Sequence, residues 1–151
     1  MTKLTSLRAS PFSVRKNAQG KLEILDRVRK KYVACTDEEK VRQMTILYLT
    51  ETLNVPMSSI AVETEIKVNN LSKRTDLIVL NSNSKPALII ECKAPSVKIS
   101  QDVFDQIARY NLTLQVNYLM VTNGVEQYFC HLDFEKQTYQ FIPELPDWSA
   151  L

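Results

Sequence analysis

Arg74-Thr75-Asp76-Leu77-Ile78-Val79-Leu80, then a turn-rich stretch, then Ala87-Leu88-Ile89-Ile90-Glu91-Cys92-Lys93: these two runs decide the fold. Each is short, rich in β-branched and aliphatic residues, and bounded by Asn, Ser and Pro, so they read as neighbouring strands. Paired antiparallel across a four-residue loop at 82–85, they set Leu80 opposite Ala87, Ile78 opposite Ile89 and Asp76 opposite Glu91. Directly opposed Cβ atoms lie about 4.5–5.5 Å apart. Side chains repeat on one face with period two, which puts Lys93 beside Glu91. Two carboxylates facing each other repel, and a divalent cation is one natural compensation. Hard oxygen ligands on adjacent strands suit Mg²⁺, with Mn²⁺ as a second choice. The other reading is a pair of solvated strand ends with Lys93 neutralising one acid. Register decides between them, because a one-residue slip turns Asp76 away.

Outward from this pair, residues 60–68 alternate, with Ile60, Val62, Ile66 and Val68 expected on one face and Glu63, Glu65 and Lys67 on the other. Residues 37–53 read as a helix. Thr36 is its N-cap, Glu39 stands at the capping-box position, and Val41, Met44, Leu47 and Tyr48 form the expected buried stripe. A second helix is expected over 101–114, with Ser100 as its cap. Residues 118–122 and 125–130 flank Asn123-Gly124, a hairpin signal, and a last strand falls near 139–142. The order is helix, three strands, helix, then two or three strands. Short strands are also expected at 22–25 or 31–34.

The chain has 151 residues, enough for one domain with a real core. Residues 1–20 read as a loose N-terminal arm and 21–151 as the single folded domain. That basic start lacks an apolar h-region, and no apolar run approaches the ~20 residues that span a bilayer. The expected location is the cytoplasm, away from any membrane. A net charge of +2 does not by itself argue for nucleic acid. The clusters Arg8, Arg15, Lys16 and Arg27, Arg29, Lys30, Lys31 are candidates for phosphate contact or for a solvated basic face. Only two glycines are present, so a Gly-rich phosphate loop is excluded. Cys35, Cys92 and Cys130 share no metal-ligand spacing and read as reduced thiols. Cys130 and the only histidine, His131, are expected on opposite faces of a strand.

Asp76 followed by Glu91-Cys92-Lys93 at a strand end resembles the D…ExK signature of the PD-(D/E)xK nucleases, with Thr75 in the place of the usual proline. Gln106-Ile107-Ala108-Arg109-Tyr110 on the next helix is similar to the QxxxY motif of helicase-associated members. The longer string, with Glu91-Cys92-Lys93-Ala94-Pro95, Asp105–Asn111 and Val121-Thr122-Asn123-Gly124, resembles the N-terminal domain of type I restriction enzyme R subunits over about residues 30–145. The resemblance implies an α/β, restriction-endonuclease-like αβββαβ core with a mixed central sheet flanked by helices. It implies Asp76, Glu91 and the Cys92 carbonyl as metal ligands, Lys93 acting on the attacking water, and Gln106 and Tyr110 supporting the site or contacting DNA. Glu51 and Glu63 are candidates for a further upstream acid.

The function this implies is metal-dependent hydrolysis of DNA phosphodiesters, without the helicase that R subunits attach to this domain. A helicase or specificity subunit and a second copy of the chain are the implied partners. Two alternatives stand beside it. One is a catalytically silent nucleic-acid-binding or assembly module on the same fold. The other is a defence-type partner protein acting through its surface, which an exposed Trp148 would favour.

Overall fold

The pairing of the two decisive runs forms at its centre as the sequence predicts and departs from it at the turn. A computed structural model describes residues 11–151, within which β5 (Leu71–Leu80) and β6 (Pro86–Cys92) run antiparallel with Ile78 opposite Ile89 and Leu77 opposite Ile90. The connection is one residue longer than expected, residues 81–85, and Leu80 pairs with Pro86 instead of Ala87. A bulge next to Val79 absorbs the extra residue and restores the register toward Asp76 and Glu91. The loop is built on Asn81, whose Oδ1 accepts from the amides of Asn83 and Lys85.

Nine strands and two α-helices make up the described residues. β4 (Ile60–Val68), β5, β6, β7 (Tyr118–Thr122), β8 (Gln127–Asp133) and β9 (Thr138–Ile142) form one sheet in sequence order. Every neighbouring pair in it is antiparallel except β6–β7. The two parallel strands are joined by α2 (Gln101–Leu112). This mixed α/β core carries out the expected order of helix, three strands, helix and three strands. Helix α1 (Asp37–Glu51) packs Val41, Ile46 and Leu49 on one face of the sheet, against Leu77, Val79, Leu88, Ile90 and Met120. α2 packs Phe104, Ala108 and Leu112 on the other face, against Ile78, Ile89, Leu119 and Val121.

Sequence reasoning missed a second, three-stranded antiparallel sheet of β1 (Val14–Lys16), β2 (Leu22–Asp26) and β3 (Lys31–Ala34). Both candidate short strands form. β1 lies inside the stretch read as a loose arm; residues 1–10 of that stretch lie outside the described residues. Helix α1 touches both β2 and β6. It is therefore covered on two sides, and its buried set is Glu39, Val41, Arg42, Gln43, Thr45, Ile46 and Leu49. The expected stripe survives only at Val41; Met44, Leu47 and Tyr48 are half-buried. A periodicity count that assumes one buried face cannot find a helix lying between two sheets.

Three local expectations are also corrected. Thr36 Oγ1 does accept from the Glu39 amide, at 3.0 Å, but the Glu39 side chain turns inward to Arg42 and Gln43 and does not return to Thr36. The Asn123-Gly124 connection is four residues long, 123–126, with Asn123 Oδ1 accepting from the amides of Val125 and Glu126. Trp148 is half-buried: it packs on the α1-side core, and its indole N–H donates to the Leu80 carbonyl at 2.9 Å. It therefore fastens the C-terminal segment and is not a freely exposed aromatic.

The departure that matters most for the site is in β4. Ile60 packs in the α1-side core, but Ile66 packs in the α2-side core, although both occupy even positions of one strand. Between them Glu63 has φ of 49°, in the left-handed region. β4 and β5 keep their register on both sides of this point (Val62 opposite Leu77, Thr64 opposite Thr75). Both strands thus exchange faces together, and Asp76 stands at the crossing.

Candidate functional site

Asp76, Glu91, Cys92 and Lys93 come together where β5 crosses and β6 ends. Asp76 Oδ2 accepts from the Cys92 amide at 2.7 Å, which ties the aspartate directly to the backbone of the Glu91-Cys92-Lys93 strand. The Lys93 amide donates to the Thr122 carbonyl at 2.8 Å, so β7 fixes the end of β6. Glu91 is 8% exposed. Burial drives its carboxyl above the ordinary range and Asp76 adds to the rise, while Lys73 and Lys93 act against it. Lys73 Nζ lies 2.5 Å from Glu91 Oε1 and forms an ion pair with it. The strand crossing is what brings Lys73 here, because it carries Lys73 onto the α2 side with its neighbour Ile66.

The α2 motif is split by the structure. Tyr110 reaches the site: its hydroxyl donates to the Ser72 carbonyl at 3.3 Å, and the Lys73 ammonium lies 4.8 Å from its ring centroid. Gln106, one turn earlier, is exposed, and its side chain makes no hydrogen bond to the protein among the described residues. Both occupy the solvent side of α2, leaving Phe104, Ala108 and Leu112 for the core.

On the other side of Asp76 lies a network of side chains from α1 and β4. Arg42, 4% exposed, places Nη2 3.5 Å from Asp76 Oδ1 and Nη1 3.5 Å from Glu63 Oε1, and it also pairs with Glu39. Glu63 meets Arg29 at 3.0 Å and Arg74 at 3.1 Å. Desolvation raises the Glu63 carboxyl, but the three guanidiniums outweigh it and hold the group below the carboxylate range. Of the two upstream acids named from the sequence, Glu63 is joined to Asp76 through Arg42. Glu51 is exposed at the end of α1 and makes no ion pair among the described residues. Arg42, Lys73 and Glu39 were missed. The Glu39–Arg42 spacing, three apart on a helix, was a usable signal.

The donor set can be weighed for a metal. No group of three or more His, Cys, Asp or Glu side chains converges at ligand spacing among the described residues. Two carboxylates and the carbonyl of the residue between Glu91 and Lys93 remain, all hard oxygens, and this is the sparse protein contribution that Mg²⁺ takes. The residues therefore fit the ion.

A family model for the N terminus of the type I restriction enzyme R protein (HSDR_N) matches residues 37–146. The chain belongs to that family. The match begins at α1 and runs past β9, so it takes in the whole six-stranded sheet, both helices and every candidate site residue named from the sequence, and leaves out β1–β3 and Arg29. No curated protein matches the chain. Membership in the R-protein family places the domain with restriction systems and gives it a nuclease-like role. No helix among the described residues is long and apolar enough to cross a membrane.

Proposed function

We propose that this R-protein family domain hydrolyses DNA phosphodiester bonds at the Asp76–Glu91–Lys93 centre with Mg²⁺, or Mn²⁺ in its place. The observation that carries the reading is the 2.7 Å bond from the Cys92 amide to Asp76, which ties the aspartate to the backbone of the residue next to Glu91. Asp76, Glu91 and the Cys92 carbonyl would hold the ion. A divalent cation at such a site supplies Lewis acidity toward a phosphoryl oxygen and acidifies a bound water. Lys93, half-buried and next to Glu91, orients the attacking water and offsets charge growing on the phosphate. Tyr110 holds Lys73 by its ring, and Lys73 steadies Glu91. Gln106, on the same exposed side of α2, is positioned for the nucleic acid and not for the carboxylates. Partners of this reading are DNA, a helicase or specificity subunit, and a second copy of the chain for cutting both strands.

Plasmid and single-stranded DNA are the substrates for the test, with Mg²⁺ or Mn²⁺, comparing the parent with Asp76→Ala and Lys93→Ala. Metal-dependent nicking lost in both variants supports the proposal. Absence of cleavage together with no metal-dependent rise in melting temperature overturns it, leaving a catalytically silent binding module on a nuclease fold.

A further inference from the structure

The β2–β3 turn and the first residue of β3, outside the family match, carry Arg27, Arg29, Lys30 and Lys31. The four are not equivalent. Arg27 is used within the chain: its guanidinium donates to the Pro11 carbonyl and lies over the Phe12 ring, and its amide donates to Gln43 Oε1 at 3.3 Å. Arg29 is used twice, on Asp26 at 2.6 Å and on Glu63 at 3.0 Å. Lys30 and Lys31 are exposed and form no ion pair among the described residues.

The turn is also pre-ordered. Asp26, fully buried, accepts from the amides of Val28 and Arg29 at 2.9 and 3.0 Å and from the Arg29 guanidinium. Burial raises its carboxyl, but these donors more than offset that and hold it below the ordinary range. Lys30 sits at φ of 54°, in the left-handed region that non-glycine residues rarely adopt. A lysine held there by its neighbours has little backbone freedom left to lose on binding a ligand. The turn's position is fixed by Arg29, because Glu63 links it through Arg42 to Asp76. Arg74, largely exposed on β5, stands at the same corner.

We infer that the β2–β3 turn is a backbone-phosphate clamp for duplex DNA, with Lys30 and Lys31 as the contacting groups and Arg29 as the strut that holds them beside the candidate centre. The inference rests on the proposed DNA substrate, not on cleavage. The contacts are sequence-independent by their chemistry, since two flexible ammonium groups meet phosphate as point charges.

The test measures binding of a labelled duplex by fluorescence anisotropy in EDTA across a salt series, so that catalysis plays no part. The variant is Lys30→Asn with Lys31→Gln, because Asn tolerates the left-handed conformation and the turn is expected to fold. Each duplex phosphate contact contributes about 0.9 to the slope of log K against log salt. Loss of two therefore lowers the slope by about 1.8, about 60-fold in affinity for each tenfold change in salt. Lys31→Gln alone lowers it by about 0.9. Removal of Lys85 and Lys136, exposed lysines of the β5–β6 and β8–β9 turns, is expected to leave the slope unchanged. An unchanged slope in the Lys30/Lys31 variant, an equal loss in the control, or no duplex binding by the parent overturns the inference. Absence of cleavage and of metal-dependent stabilisation, with the slope change intact, overturns the catalytic proposal only.

Discussion

Replacing Arg42 with methionine tests whether the charge network beside Asp76 holds the fold together. The guanidinium is 4% exposed and serves Glu39, Glu63 and Asp76, with Glu38 at 3.9 Å. Methionine fills most of the volume, so the main effect is electrostatic. Glu39 is itself 7% exposed and loses its cation, keeping only the Gln43 amide. Breaking a buried pair by removing one partner costs about 3–5 kcal/mol. In a chain of this size that lowers the melting temperature by about 6–20 °C. Urea unfolding of parent and variant gives the difference directly. Its sign with pH is fixed as well. The Glu63 carboxyl is depressed below its ordinary 4.5, with Arg42 the leading opposing charge. The stability it contributes is present above pH 4.5 and is lost as pH falls through the lower folded value. The deficit of Arg42→Met is therefore expected to be full at pH 7 and to shrink below pH 4.5. A deficit within about 1 kcal/mol at pH 7, against the expected range, or one that persists unchanged in acid, refutes the reasoning.

Other outcomes follow from single contacts. Gly124→Ala is expected to destabilise by about 1–3 kcal/mol in thermal unfolding, since a Cβ there comes 3.1 Å from Val41 Cγ2 and φ is 84°. Asp26→Ala removes the acceptor of two amides and a guanidinium and is expected to cost at least about 1.5–3 kcal/mol in urea unfolding at pH 7. Because the Asp26 carboxyl is held low, that contribution is retained above pH 3.8 and disappears as pH falls through its folded value. Thiol titration of the native protein is expected to count Cys35 alone quickly. Burial keeps the Cys92 thiol fully protonated and pushes Cys130 up to about 12, and all three react once the chain is unfolded.

The fold of the matched region was largely legible, and the reason is visible in particular elements. β7 is apolar, helix α2 has a capping serine and a clean helical stripe, and the two runs around Ile78 and Ile89 could pair in few ways. Local pattern and tertiary context agree there. They conflict at Glu63. Alternation over 60–68 is regular in the sequence, yet one left-handed residue sends Ile60 and Ile66 to opposite cores. Backbone φ at a glutamate has no sequence signal. Asp76, Glu91 and Lys93 could be named together from the sequence because their spacing is local to one strand pair. Arg42 and Lys73 could not, because their roles depend on α1 being covered by the unrecognised sheet β1–β3 and on the crossing in β4 and β5.

The in-order arrangement of the six strands has a kinetic consequence. Most neighbours in that sheet are hairpin partners, which close quickly over short loops. The exception is β6 against β7, separated by the α2 crossover, where loop closure is slowest and entropy lost first is recovered last. Lys93 leaves β6 at that junction, and its amide is held by Thr122 of β7. The centre is thus completed only when the least local contact of the sheet has formed. A nascent chain of this protein carries these acids and the lysine through synthesis apart from one another, and they meet only in the finished fold.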